Sequence, residues 1–149
     1  MAERRLLPPA YLLGALVLTV ALHWLMPVAR WADYPWTLSG CLPLLFGFGL
    51  NIVADNALKH QGTTVKPFDK PEVLITSGVY RISRHPMYLG MVLILFGLAT
   101  LLGTFTPLLI VGIFALLMQK IFINTEEKIL EQQFGEAWRE YRQQVRPWI

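Results

Sequence analysis

The sequence predicts an all-α integral membrane protein: four transmembrane helices, a cytoplasmic loop and a C-terminal amphipathic helix, all in a single domain. Three observations predict it. The 149 residues are 54% hydrophobic and only 15% charged, and a soluble domain of this size lacks the interior to hide so much apolar surface, so the bilayer is the expected solvent. Three long stretches, residues 6–29, 34–54 and 86–119, contain no Asp, Glu, Lys or Arg. Finally, twelve of the 13 Lys and Arg residues fall in three regions that a four-helix chain brings to one side.

The first helix is expected over 9–28. Its apolar run exceeds the ~7–15 residues of a signal peptide's core, and "WLMPVARWADYPW" offers no small-x-small cleavage site. A retained helix ending in an aromatic belt of Trp24, Trp31 and Trp36 fits instead, since these side chains favour the headgroup level. The second helix, 35–54, is long enough to span, because ~20 apolar helical residues cross the hydrocarbon core. The third uncharged stretch is too long for one helix of ordinary tilt. Within it "LLGTFTP" supplies Gly103 and Pro107 as a turn, giving helices at 86–102 and 107–124.

Arg4 and Arg5 precede the first helix, while Lys59, Lys66, Lys70, Arg81 and Arg84 lie between the second and third. Lys120, Lys128, Arg139, Arg142 and Arg146 cluster at and beyond the end of the fourth, leaving only Arg30 on the other side. The positive-inside rule then makes both termini cytoplasmic, and the membrane is expected to be a bacterial or archaeal inner membrane. The net charge of +3 reads as topology and attraction to anionic membrane lipids, with no nucleic acid partner. Cys41 stands alone, so no internal disulfide can form, and it is expected to be a small buried apolar residue. His23, mid-helix, is expected to pack or to form a hydrogen bond. No CxxC, HExxH or clustered His/Asp/Glu pattern occurs, and no metal is expected.

Chemistry is therefore expected on the cytoplasmic side. The loop 55–85 is long enough to be functional, and its "EVLITSGVY" combines a β-branched apolar run, a Ser-Gly turn and an aromatic, which suits folding back on the embedded body. The C-terminal helix is expected over 125–145. Asn124 and Glu127 have capping-box spacing before it, although the transmembrane helix could equally run straight through. Leu130, Phe134, Trp138, Tyr141 and Val145 fall on one face, which would lie on the membrane surface or over the loop.

Two placements stand out. In "SRHPMYLG" Pro86 suits the first turn of a helix, which sets Arg84 and His85 at its partially positive end and so demands an anion. Glu126 and Glu127 sit at another membrane boundary, where an unpaired carboxylate is costly to desolvate and demands a cation. A helical hairpin brings both pairs to one face, where a ligand with a carboxylate at one end and a positive centre or hydroxyls elsewhere would span them. S-adenosylmethionine has these features. The residues alone are equally compatible with NADPH, an anionic lipid headgroup or no ligand.

The ordered elements "SGVYRISRHPMYLG", "EEKILEQQFG" and a following tyrosine, over residues 60–146, resemble the isoprenylcysteine carboxyl methyltransferase family and the related phospholipid methyltransferases. The resemblance implies S-adenosylmethionine as methyl donor, in a cytoplasmic pocket built from the loop, the RHP helix start and the C-terminal helix. It implies donor contacts at Glu72, Val73, Leu74 and Ile75, largely through main chain, and at Tyr80, His85, Pro86, Met87, Tyr88 and Glu126. The anion demanded by Arg84 and His85 would then be the donor's own carboxylate. Eukaryotic prenylcysteine enzymes have more transmembrane helices and carry an arginine shortly before the acidic pair, where this chain has Phe122. The acceptor is accordingly expected to be some other lipid-like or hydrophobic molecule arriving from within the membrane. In-line displacement from a sulfonium needs chiefly alignment and exclusion of water. Glu127 is a candidate general base for an amine or hydroxyl acceptor, as is His85, and Arg84 a candidate holder of an acidic one. A membrane reductase using NADPH and a non-enzymatic membrane protein are the alternatives.

Overall fold

The computed structural model describes residues 7–62 and 71–149. Arg4, Arg5, Lys66 and Lys70 of the charge argument, and part of the 55–85 loop, lie outside the described residues. Among the described residues every regular element is helical, with one isolated antiparallel bridge between Arg30 and Thr104.

Helix α1, Pro8–Leu25, opens on two prolines at its first positions, where no backbone donor is lost. A 3₁₀ turn, Trp36–Gly40, leads into α2, Cys41–His60, which extends six residues past the expected end at 54. The extension carries Asp55 and Lys59, an i,i+4 ion pair that lets the helix continue into water. Helix α3 spans Pro86–Leu102, as the sequence reading has it. Gly103 closes it in the left-handed conformation at φ 71°, and a Cβ there would stand 2.5 Å from Ala32 O. Helix α4, Phe105–Leu117, therefore starts two residues before the proline expected to open it. Three helical stretches, Pro8–Leu25, Trp36–His60 and Phe105–Phe134, are long and apolar enough to cross a membrane, and α3 is a shorter apolar helix.

Beyond α4 the chain runs without a break through a π-helical turn, Met118–Ile123, into α5, Asn124–Phe134. No side-chain cap forms at Asn124, because a continuous helix leaves no orphan donors there to satisfy. Helix α6, Glu136–Gln144, follows, and the single C-terminal helix expected over 125–145 is thus two. Gly135 breaks it, at φ 51° and ψ −114°, a conformation that a side chain would strain.

Helices α2 and α3 touch backbone to backbone. Gly40, closing the 3₁₀ turn before α2, and Gly47 on α2 face Gly97 and Gly90 on α3, and a Cβ on Gly47 would lie 2.6 Å from Gly90 O. Next to this seam Met91, Leu95, Ile110, Phe114, Met118 and Phe122 form the buried core. Leu13, Val17, Leu45, Phe46, Leu109 and Ile113 remain exposed, as side chains facing lipid do. Cys41 is exposed rather than buried. The residue before it, Gly40, is the one turned onto α3, and one helical step rotates the next side chain outward.

At one end of the bundle the α1–α2 connection meets the α3–α4 turn. Trp31 N–H donates to Gly103 O at 3.0 Å, and His23 Nδ1 lies 2.9 Å from Thr104 Oγ1, a hydrogen bond that accounts for the mid-helix histidine. Arg30 is at this end. Arg81, Arg84 and the acidic pair are at the other.

Candidate functional site

The segment before α3 is shaped by its own polar groups. Ser83 Oγ accepts the His85 N–H at 3.2 Å and donates to Pro147 O at 3.0 Å. Arg84 N–H donates to Arg146 O at 3.0 Å, and its Nη1 donates to Arg142 O at 3.3 Å. Helix α5 brings its first turn against this segment. Arg84 Nη2 stands 2.7 Å from Glu127 Oε1, with side-chain exposures of only 5% and 15%. His85 lies between both acids, Nδ1 at 3.4 Å from Glu126 Oε2 and Nε2 at 3.4 Å from Glu127 Oε1. The Tyr88 hydroxyl, one turn into α3, donates to Glu126 Oε1 at 2.5 Å. The two boundary pairs singled out in the sequence therefore meet each other, and the negative partner that was assigned to a donor's carboxylate is supplied here by Glu126 and Glu127.

The electrostatics follow from the packing. Burial opposes the charged form of His85, but hydrogen bonds and charge from Glu126 and Glu127 outweigh it and hold the imidazole above its ordinary value of 6.5. Arg84 is lowered, first by burial and then by Arg142, with Glu127 opposing. It stays cationic at neutral pH and lies over the Trp138 ring, 5.4 Å from the centroid. Tyr80 is raised by burial, with Tyr141, Glu126 and Asp55 adding to the effect. Burial also pushes Tyr141 up to about 12 against the pull of Arg84, and its hydroxyl donates to Tyr80 O at 2.6 Å.

A cavity of about 330 Å³ opens beside this cluster. Val73, Leu74, Ile75 and Tyr80 line it from the loop, and Arg84, His85, Pro86, Met87 and Tyr88 from the start of α3. Glu126 lines it from α5, whereas Glu72 and Glu127 do not line it. Glu127 instead stands behind, on Arg84 and His85. Among the lining residues that the sequence reading did not assign are Pro8 and Pro9 of α1, Leu58 of α2, Leu130 of α5, and Trp138 and Tyr141 of α6. Leu130, Trp138 and Tyr141 carried a signal: they belong to the apolar stripe, which packs with Leu74 from the loop. The indole N–H of Trp138 and Nε of Arg84 are buried without a hydrogen-bond partner among the described residues.

Residues 36–137, from the 3₁₀ turn before α2 into α6, match the phospholipid methyltransferase family. The chain belongs to that family. Among relatives of this family member, a protein-S-isoprenylcysteine O-methyltransferase of Schizosaccharomyces pombe is 38% identical over 80 residues, covering 52% of this chain and 33% of the relative. The Saccharomyces cerevisiae protein of the same name is 34% identical over 114 residues, covering 73% of this chain and 46% of the relative. An uncharacterized Haemophilus influenzae protein is 41% identical over 63 residues, 42% of this chain and all of that protein. The fold is similar to that of the eukaryotic intramembrane Ras methyltransferase ICMT, with a TM-score of 0.63 and 24% identity over 92% of this chain and 50% of the other. This family member spans between a third and a half of the length of the two yeast proteins it matches.

Proposed function

We propose that the chain is an S-adenosylmethionine-dependent integral membrane methyltransferase acting on a lipid-like or hydrophobic acceptor. The observation that carries the reading is the largely apolar cavity, with Arg84, His85 and Glu126 as its charged wall, at the cytoplasmic end of the helices of a phospholipid methyltransferase family member. Membership favours methyl transfer over the NADPH-dependent reductase.

The donor set fits such a ligand. A guanidinium, an imidazole and a carboxylate stand within one wall, and the buried Trp138 N–H and Arg84 Nε lack partners that a polar ligand would supply. When bound, S-adenosylmethionine supplies a methyl group on a positively charged sulfur. Arg84 and His85 are suited to its carboxylate, Glu126 to its ammonium or ribose hydroxyls, and Val73, Leu74 and Ile75 to its apolar surfaces. Tyr88 orients Glu126 by donating to it. Glu127, seated behind the cavity wall, is assigned to holding Arg84 and His85 and not to removing a proton from the acceptor. Glu72 has no assigned contact. Phe122 is fully buried with its ring between Tyr11 and Tyr88, so an acceptor carboxylate finds an aromatic stack where prenylcysteine enzymes are expected to carry an arginine.

The reading includes four membrane-crossing helices, with α3 as the short one, and both termini on the cytoplasmic face. Most of the relatives named above are eukaryotic and one is bacterial, so the reading concerns the face of the membrane and not the compartment. The test is calorimetric titration of purified protein with S-adenosylhomocysteine. Saturable binding is expected for the natural sequence, weakened at least ~10-fold in His85→Ala and Glu126→Ala. Absence of binding by folded protein in detergent and in lipid nanodiscs would defeat the donor assignment.

A further inference from the structure

We propose that the segment following α6 is a clasp. Trp148, acting through Gln119, holds the π-helical turn in the register at which Glu126 meets His85 and Tyr88, which makes Trp148, Gln119 and Asn124 positioning residues. The inference rests on the methyltransferase reading only for what the positioned site binds.

The need for a clasp comes from the helix itself. A π turn is a rare and weakly favoured insertion, used where a helix must change the face it presents. One residue of extra winding rotates everything downstream by ~100°. In a regular α-helical continuation Glu126 and Glu127 would each point about one residue step away from where they now meet the start of α3. Something must hold the turn, and Gln119, inside it, is bonded on both sides. Its Nε2 donates to Asn124 Oδ1 at 2.8 Å, five residues on, which is the repeat of the π turn. Its Oε1 accepts the Trp148 Nε1–H at 2.8 Å, in a partly buried setting where a hydrogen bond is strong.

The other end of the same segment grips the opposite wall of the site. Arg146 O accepts from Arg84 N–H, Pro147 O accepts from Ser83 Oγ, and Ser83 Oγ accepts from His85 N–H. Three consecutive residues, 146 to 148, thus tie the loop that carries His85 to the turn that aims Glu126. A path of four hydrogen bonds, joined by the peptide link between Pro147 and Trp148, runs from His85 through Ser83 and Gln119 to Asn124, two residues before Glu126. Trp148 also packs beside the core, which seats its ring, whereas Asn124 is exposed, so it is the bonds through Gln119 that join the two.

The charged and titratable groups facing His85 are Glu126 and Glu127 from α5, Tyr88 from α3 and the adjoining Arg84. Its titration therefore reports its distance from the two carboxylates. The test is NMR of the histidine-labelled protein in nanodiscs, with His85 identified among the three histidines by His85→Gln. In Trp148→Phe and Gln119→Met the His85 midpoint is expected to fall by about one pH unit, and S-adenosylhomocysteine binding to weaken ~10-fold. Gln119→Glu, whose carboxylate still accepts the indole N–H and can accept from a flipped Asn124 amide, is expected to match the natural protein in both. A His85 midpoint unchanged in Trp148→Phe and Gln119→Met overturns the clasp, as does a Gln119→Glu shift equal to that of Gln119→Met. If Trp148→Phe does not fold, the two Gln119 variants decide. A midpoint that moves in a protein binding no S-adenosylhomocysteine leaves the clasp standing and removes the methyltransferase reading.

Discussion

His85 is the residue whose charge the fold regulates most directly. Its folded value is raised above the 6.5 of a free imidazole because Glu126 and Glu127 hold the protonated ring against the cost of burial. A raised value means stability that is fully present below 6.5 and lost as pH climbs through the folded value. The thermal midpoint in detergent is therefore expected to fall as pH is raised from about 6 to about 9, and the slope should flatten in His85→Gln. A profile equally steep in the variant would place the titration elsewhere. Glu127 makes a complementary case. Removing its charge leaves Arg84 buried against Trp138 and near Arg142 with no carboxylate, and breaking a buried pair from one side costs about 3 kcal/mol. Glu127→Gln should lower unfolding free energy by about that amount in a denaturant titration, whereas Glu140→Gln, on the exposed side of α6, should change little. These four side chains were legible in the sequence, because a charge at a membrane boundary is an anomaly visible without coordinates. Trp138 was not, since an aromatic in an amphipathic stripe reads the same whether it meets lipid, a loop or a cavity.

At the scale of elements, helix existence was legible and helix continuity was not. The uncharged runs gave α1, α2, α3 and α4, and Gly103 marked the turn between the last two. Two features escaped: the π turn at Met118–Ile123, which has no composition of its own, and the break at Gly135, which sits within an unbroken amphipathic pattern. Hydrophobic periodicity averages over several turns, so a single inserted or left-handed residue leaves it nearly unchanged. The glycines of the α2–α3 seam are equally silent in the sequence, where Gly47 and Gly49 look alike. Their surroundings differ sharply. A Cβ at Gly47 meets Gly90 O at 2.6 Å and Ile94 N at 2.9 Å, backbone that cannot yield, whereas at Gly49 nothing lies within 4 Å. Gly47→Ala is expected to destabilise by about 1–3 kcal/mol through forced separation of the helices. Gly49→Ala should be neutral or stabilising by up to about 1 kcal/mol, as alanine favours the helix. Equal melting temperatures for the two variants would contradict the close seam.

At the scale of the whole molecule, charge and geometry separate the same two ends by independent routes. The basic residues outside the membrane crowd one end by composition, and the hydrogen bonds from Trp31 to Gly103 and from Val28 to Thr106 set Arg30 at the opposite end by structure. Both connections at that end are short and tied to each other, so α1–α2 and α3–α4 are hairpins of one polarity, and the cavity falls at the basic end. A donor made in the cytoplasm and an acceptor dissolved in lipid can meet only there, which makes orientation the whole-molecule condition for the proposed reaction. It is testable with single cysteines introduced after Cys41→Ser, a replacement at an exposed position. Asp33→Cys, exposed between α1 and α2, should react with a membrane-impermeant maleimide added outside intact spheroplasts of a bacterium made to produce the protein. Gln61→Cys and Glu140→Cys, exposed at the far end, should react only after permeabilisation. Labelling of Gln61→Cys or Glu140→Cys from outside would turn the cavity away from the cytoplasm and with it remove the supply of the soluble donor, whatever the affinity of the site.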